Sequence, residues 1–125
     1  MKKVINSKNA PAPIGPYSQG ILKKGMLFVS GQIPTNPSTG QLVTGDIAEQ
    51  TKQVMLNLQA ILTEARMNFS DVVKTSIFLS DMENFAKVNE VYATYFQGNP
   101  PARETIQAAR LPKDVGVEIS LIAVI

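Results

Sequence analysis

The run Val115–Ile125 restricts the folds open to this chain more than any other feature. It alternates like a strand, yet neither side is polar. Val117, Ile119 and Leu121 lie on one side, and Ile122 and Val124 share the other with Glu118 and Ser120. A strand apolar on both sides needs cover on both faces of its sheet. The 125 residues contain only two runs with helical spacing, enough to cover one face. The second face is left for another copy of the chain. A charged share of 18% beside a hydrophobic share of 44% agrees with a small domain that hides surface by association.

The other elements follow from local patterns. Ser18–Leu22 and Met26–Ser30 flank Lys23-Lys24-Gly25 and read as a β-hairpin. Asp46-Ile47-Ala48-Glu49 has the form of a capping box, and Val54, Met55, Leu58, Ile61, Leu62 and Ala65 share a face behind it. This predicts a helix from about Ile47 to about Met67. Ser70–Ser80, rich in β-branched residues, predicts a strand. Ser80-Asp81-Met82-Glu83 is a second capping box, opening a helix to about Phe96, with Phe85, Val88, Tyr92, Tyr95 and Phe96 on one face. Gly98, Pro100 and Pro101 stop it. Thr105–Leu111 and Val115–Ile125 are the last strands, with a turn at Lys113-Asp114. The order ββ-α-β-α-ββ predicts a single α+β domain over residues 1–125. Its mixed sheet has parallel crossover pairs, terminal hairpins and two helices on one face.

Composition removes whole classes of chemistry. With no Cys and no His, a Ser-His-Asp triad, a Cys nucleophile, a thiolate zinc site and a His-ligated metal are excluded. Acid–base work falls to Asp, Glu, Lys or Tyr. A net charge of +2 with no basic run beyond Lys2-Lys3 and Lys23-Lys24 makes nucleic acid an unexpected partner. No apolar run reaches membrane-spanning length, and Met1-Lys2-Lys3-Val4-Ile5-Asn6 has no signal-peptide core, so a soluble cytoplasmic protein is expected.

Two residues near the C-terminus stand out. Arg103 follows the rigid Pro100-Pro101-Ala102, and its planar fork matches a carboxylate. Glu118, between Val117 and Ile119, sits on the sheet side away from the helices. Under the cover of a second subunit it becomes a pocket carboxylate, pairing with Arg103 or orienting a water. Other candidates are weaker alone. Tyr17 follows the stiff loop Ala10–Pro16 with its three prolines; packing is its ordinary role, and a ligand wall the functional one. Ser30-Gly31 ends a strand, where a bulge is ordinary and close approach of a ligand to the backbone is the alternative. Asn89 lies mid-helix, where Asn is a poor former. Thr105 is an unremarked strand residue. Together they indicate a small-anion site at a subunit interface.

In order along the chain, Ile14-Gly15-Pro16-Tyr17-Ser18-Gln19, Val29-Ser30-Gly31-Gln32-Ile33-Pro34, Phe85-Ala86-Lys87-Val88-Asn89, Pro101-Ala102-Arg103, Leu111-Pro112 and Val117-Glu118-Ile119 closely resemble the RidA (YjgF) family, the reactive intermediate deaminases. The resemblance implies a chorismate-mutase-like α+β fold. It implies a homotrimer whose sheets form a central barrel, with helices outside and clefts between subunits. It also implies cofactor-independent hydrolysis of 2-imino acids or their enamines, such as 2-iminobutanoate and 2-iminopropanoate, to 2-keto acids and ammonia. By the resemblance Arg103 binds the substrate carboxylate and Glu118 orients the water. Tyr17, Ser30, Gly31, Asn89 and Thr105 line the pocket. Glu104 departs from the family pattern, in which a small residue is more usual; strand alternation turns it away from Arg103. Two other readings use the same cleft or fold: a trimeric binder of 2-keto acids without turnover, and an RNA-directed translation inhibitor or endoribonuclease.

Overall fold

Lys24 and Gly25 both take positive φ, 51° and 75°, in the computed structural model, which describes residues 1–125. Two such residues in succession make the tight turn whose twist matches a hairpin. They join β2 (Gly20–Lys23) to β3 (Met26–Gln32), with Lys23 opposite Met26. A short β1 (Lys3–Ile5), which no local pattern predicts, adds antiparallel to β2 with Ile5 opposite Gly20.

Helix α1 (Ile47–Glu64) starts where predicted, with the Asp46 side chain accepting from the Glu49 N–H at 3.0 Å. It ends before Met67 because Arg66 turns left-handed, at φ 60°. The Arg66 N–H then bonds to Thr63 O and the Met67 N–H to Leu62 O, both at 2.9 Å, a Schellman closure. A capped 3₁₀ turn, Phe69–Asp71, precedes β4 (Val72–Leu79), so the predicted strand loses its first residues. Asp81, not Ser80, caps the next turn, accepting from the Glu83 N–H at 2.9 Å. Met82–Asn84 is consequently 3₁₀, and α2 is confined to Phe85–Ala93.

The sheet has six strands in the order β1-β2-β3-β6-β4-β5, where β5 is Ala102–Gln107 and β6 is Val117–Val124. β5 runs parallel to β4, and β6 is antiparallel to both β3 and β4. The expected C-terminal hairpin is therefore absent, because β4 lies between β5 and β6. Burial decides the order: the strand apolar on both sides takes the centre, and β5, carrying Arg103, Glu104 and Gln107, takes an edge.

The core lies between the helices and one sheet face. Leu27, Ile77, Leu79, Val117, Ile119 and Ala123 from the strands meet Val54, Met55, Leu58 and Ile61 from α1, and all of them are fully buried. The opposite face keeps large apolar groups in the open, with Phe28 43% and Ile106 48% exposed. The mixed sheet with two helices on one face is the predicted α+β architecture. No helix is long and apolar enough to cross a membrane.

Candidate functional site

The candidate residues fall into two groups on opposite faces of the sheet. On the open face, β3 and β6 slip register between Val29 and Gln32, leaving Ser30-Gly31 as a bulge. Backbone and side chain meet closely there. A Cβ on Gly31 would lie 2.8 Å from Cδ of Glu118 and nearer still to Oε2, so any other residue here would displace the carboxylate from this place. The bulge and the ligand-approach readings of Gly31 thus merge, and what approaches the backbone is the protein's own Glu118.

Ser30 has a structural part in this bulge. Its hydroxyl donates to Ser18 O at 2.6 Å and its N–H to Gln19 O at 2.9 Å, tying the bulge to the segment after Tyr17. Tyr17, Gly31 and Glu118 line one cavity of about 540 Å³, with Pro11, Ile14, Pro112 and Lys113 among its walls. Burial raises the Glu118 carboxyl above the ordinary carboxylate range, which makes it a better proton acceptor once ionised.

The second group faces α2. Arg103 Nη1 donates to Asn89 Oδ1 at 2.6 Å. Its guanidinium carbon lies 5.1 Å from the Tyr92 ring centroid and 5.7 Å from that of Phe85. Arg103 takes part in neither of the two ion pairs, so its charge has no carboxylate partner within the chain. Thr105, two residues on, shares this face, and its Oγ1 is buried without a hydrogen-bond partner. Asn89 thereby acquires a reason for its place in mid-helix. Glu104 turns to the other face, as alternation requires, where it bonds to Ser76 Oγ and pairs with Lys74 at 2.9 Å.

Within one chain Arg103 cannot pair with Glu118. They lie on opposite faces of non-adjacent strands, Arg103 opposite Thr75 on one side of β4 and Glu118 opposite Phe78 on the other. Thr105 and Gly31 are separated in the same way. Phe85 and Tyr92, placed by the sequence on one face of the second helix, both touch Arg103; Tyr92 belongs to the core as well, whereas Phe85 lies outside it. The available signal was their spacing from Asn89, which puts positions 85, 89 and 92 on one helical face. No cluster of acidic side chains could hold a metal ion.

The sequence pattern of the Endoribonuclease L-PSP family matches residues 7–125. A RutC family protein of Pyrococcus horikoshii is 54% identical over 123 residues, 98% of each chain. The 2-iminobutanoate/2-iminopropanoate deaminase of Rattus norvegicus is 52% identical over 124 residues, 99% of this chain and 90% of the relative. Among solved structures, a Rid family protein of Yersinia pestis superposes with a TM-score of 0.98 at 49% identity, covering 100% of both chains. E. coli TdcF, solved with bound serine, gives 0.94 at 42% identity over 98% of each chain. A pattern spanning nearly the whole chain, with relatives above 50% identity, places the protein in the Endoribonuclease L-PSP family, the RidA family that its own motifs resemble.

Proposed function

We propose that this protein hydrolyses small 2-imino acids, with 2-iminobutanoate and 2-iminopropanoate as type substrates, to 2-keto acids and ammonia. The observation that carries this reading is Arg103. It is a fork held in place without an acidic partner, in a chain that shares half its residues with mammalian deaminases of that name. A 2-imino acid offers the carboxylate this fork would take in bidentate fashion. Its protonated imine carbon is already electrophilic, so a positioned water and one proton acceptor suffice.

Glu118 takes a proton from the water as the C–O bond forms, giving a tetrahedral carbinolamine. Once protonated, the nitrogen leaves as ammonia while the hydroxyl loses its proton, and the C–N bond breaks to yield the ketone. Tyr17 and Gly31 wall the Glu118 side; Asn89 and Thr105 flank the Arg103 side. The two sides meet only if another copy brings its Arg103 face to this copy's Glu118 cavity. The homotrimer implied by the family motifs supplies that arrangement, and the open apolar sheet face supplies its driving force.

The test is hydrolysis of freshly generated 2-iminobutanoate by the parent protein and by Arg103→Ala. Arg103→Ala is expected to lower kcat/KM by about 10³-fold or more with its fold intact, and Arg103→Lys to recover little, because a point charge does not replace the fork. A fully active Arg103→Ala protein would overturn the assignment. The second reading, binding without turnover, draws on the serine held by the E. coli relative. A parent protein that binds 2-ketobutanoate stoichiometrically yet leaves the imine's lifetime unchanged would establish it.

A further inference from the structure

We infer that Phe85 and Tyr92 are positioning residues for Arg103: their rings hold the guanidinium in place before substrate arrives, and Tyr92 is anchored to the sheet through Thr75. The inference deepens the carboxylate-binding reading of Arg103 and rests on it.

Three residues of one α2 face, Phe85, Asn89 and Tyr92, converge on a single side chain. Both rings lie within the roughly 6 Å at which a cation is attracted to an aromatic face. Asn89 takes one N–H, leaving the other guanidinium donors free for a ligand. Tyr92 is not free to follow Arg103 if it moves. Its hydroxyl is bonded to Thr75 Oγ1 at 2.7 Å in the buried interior, and Thr75 is the residue directly across from Arg103 in the β4–β5 ladder. The sheet therefore holds Arg103 twice, through its backbone and through its head group, and the two holds close a ring: Arg103 backbone, Thr75, Tyr92 hydroxyl, Tyr92 ring, guanidinium. A fork held this way gives up little rotamer freedom on binding, and its plane is set for a bidentate carboxylate. If Tyr92 served packing alone, volume would be its only requirement, and neither the hydroxyl pair nor the stacking would matter.

Two substitutions separate these cases. Tyr92→Met keeps apolar volume and removes the π face. Phe85→Leu does the same at a ring 38% exposed and outside the core. Three readouts are taken on the full-length protein: 2-ketobutanoate binding by calorimetry, KM and kcat for 2-iminobutanoate, and ¹⁵N NMR of the Arg103 side chain for hindered guanidinium rotation. The parent is expected to show slow rotation. Each variant is expected to lose it, to weaken 2-ketobutanoate binding and raise KM by about five- to tenfold, and to change kcat by less than about twofold. Tyr92→Phe, which keeps the ring and drops only the anchor, should fall between. A folded Phe85→Leu or Tyr92→Met protein with parental rotation and parental affinity overturns the positioning role while leaving the deaminase reading in place. A parent that binds 2-ketobutanoate without hydrolysing the imine removes the deaminase reading, and the binding and NMR comparisons still decide the positioning role. A parent that binds no 2-keto acid overturns the positioning role together with its basis.

Discussion

Glu118 lies where a carboxylate is costly, packed on the Gly31 backbone in a strand apolar apart from Ser120, and desolvation raises its pKa. Two consequences follow at this one residue. An acceptor with a raised pKa loses its ionised form earlier as pH falls, so the acid limb of kcat/KM should lie above the ordinary carboxylate value of about 4.3. Glu118→Gln should lower kcat by about 10²-fold or more and remove that limb from what activity remains. Stability moves the opposite way. Between the unfolded and folded pKa values the folded state binds more protons, so stability declines as pH rises through that window, and the loss is complete above the folded value. Glu118→Gln should therefore show a higher Tm than the parent at pH 7, with the difference vanishing toward pH 4. A parental pH–rate profile in Glu118→Gln would show that the carboxylate is a spectator. The candidate residues were legible at this scale, since an Arg just beyond two prolines and a Glu between Val and Ile are visible in the chain. The contact of Phe85 and Tyr92 with Arg103 was not, because a helical stripe of aromatics has the same spacing whether it meets a core or a cation.

Loops make much of the cavity wall beside β3 and β6, and two buried amides pin them. Gln19, 1% exposed, donates from Nε2 to Ser7 O and Pro11 O at 3.0 Å and to Ala10 O at 3.3 Å, while accepting from the Ser7 N–H at 2.7 Å. This fixes the proline-rich segment that carries Tyr17. Asn57 on α1 donates to Thr35 O at 3.0 Å and Ile33 O at 3.2 Å, holding the opposite rim. Gln19→Leu leaves several buried backbone groups without partners, and each costs about 1–3 kcal/mol. The variant should lose at least about 2 kcal/mol in urea denaturation, with hydrolysis falling as the loop loosens. A change under about 0.5 kcal/mol would mean that water replaces the amide. Elements with local causes were readable: the Lys24-Gly25 hairpin, the Asp46 cap, the two helices. Their ends were less so, because Arg66 takes a left-handed turn that the residue type does not announce. The place of β6 between β3 and β4 was not readable, since pairing across that distance is chosen by burial and no local signal records it.

Across the whole molecule, the proposed function makes the sheet face away from the helices the link between assembly and chemistry. Phe28, opposite Ile122 in the ladder, is 43% exposed, and Met26 and Ile106 are exposed on the same face. An apolar surface of this kind is covered when copies associate. The same geometry leaves Arg103 and Glu118 on opposite sides of each chain, so on the function proposed above a lone chain carries two half-sites and no complete one. Association and activity should then be lost together. The parent is expected to give the mass of three chains by light scattering. Phe28→Lys puts an ammonium where the covered face excludes water, a burial costing several kcal/mol per ion, and should shift the mass to one chain. Because Phe28 points away from the helices, the core of the chain is untouched and the far-UV spectrum should stay parental. Hydrolysis of 2-iminobutanoate should drop with the mass, in proportion to the fraction dissociated. Monomers of Phe28→Lys that hydrolyse at the parental rate would place the whole site within one chain, and Arg103 and Glu118 could not both belong to it.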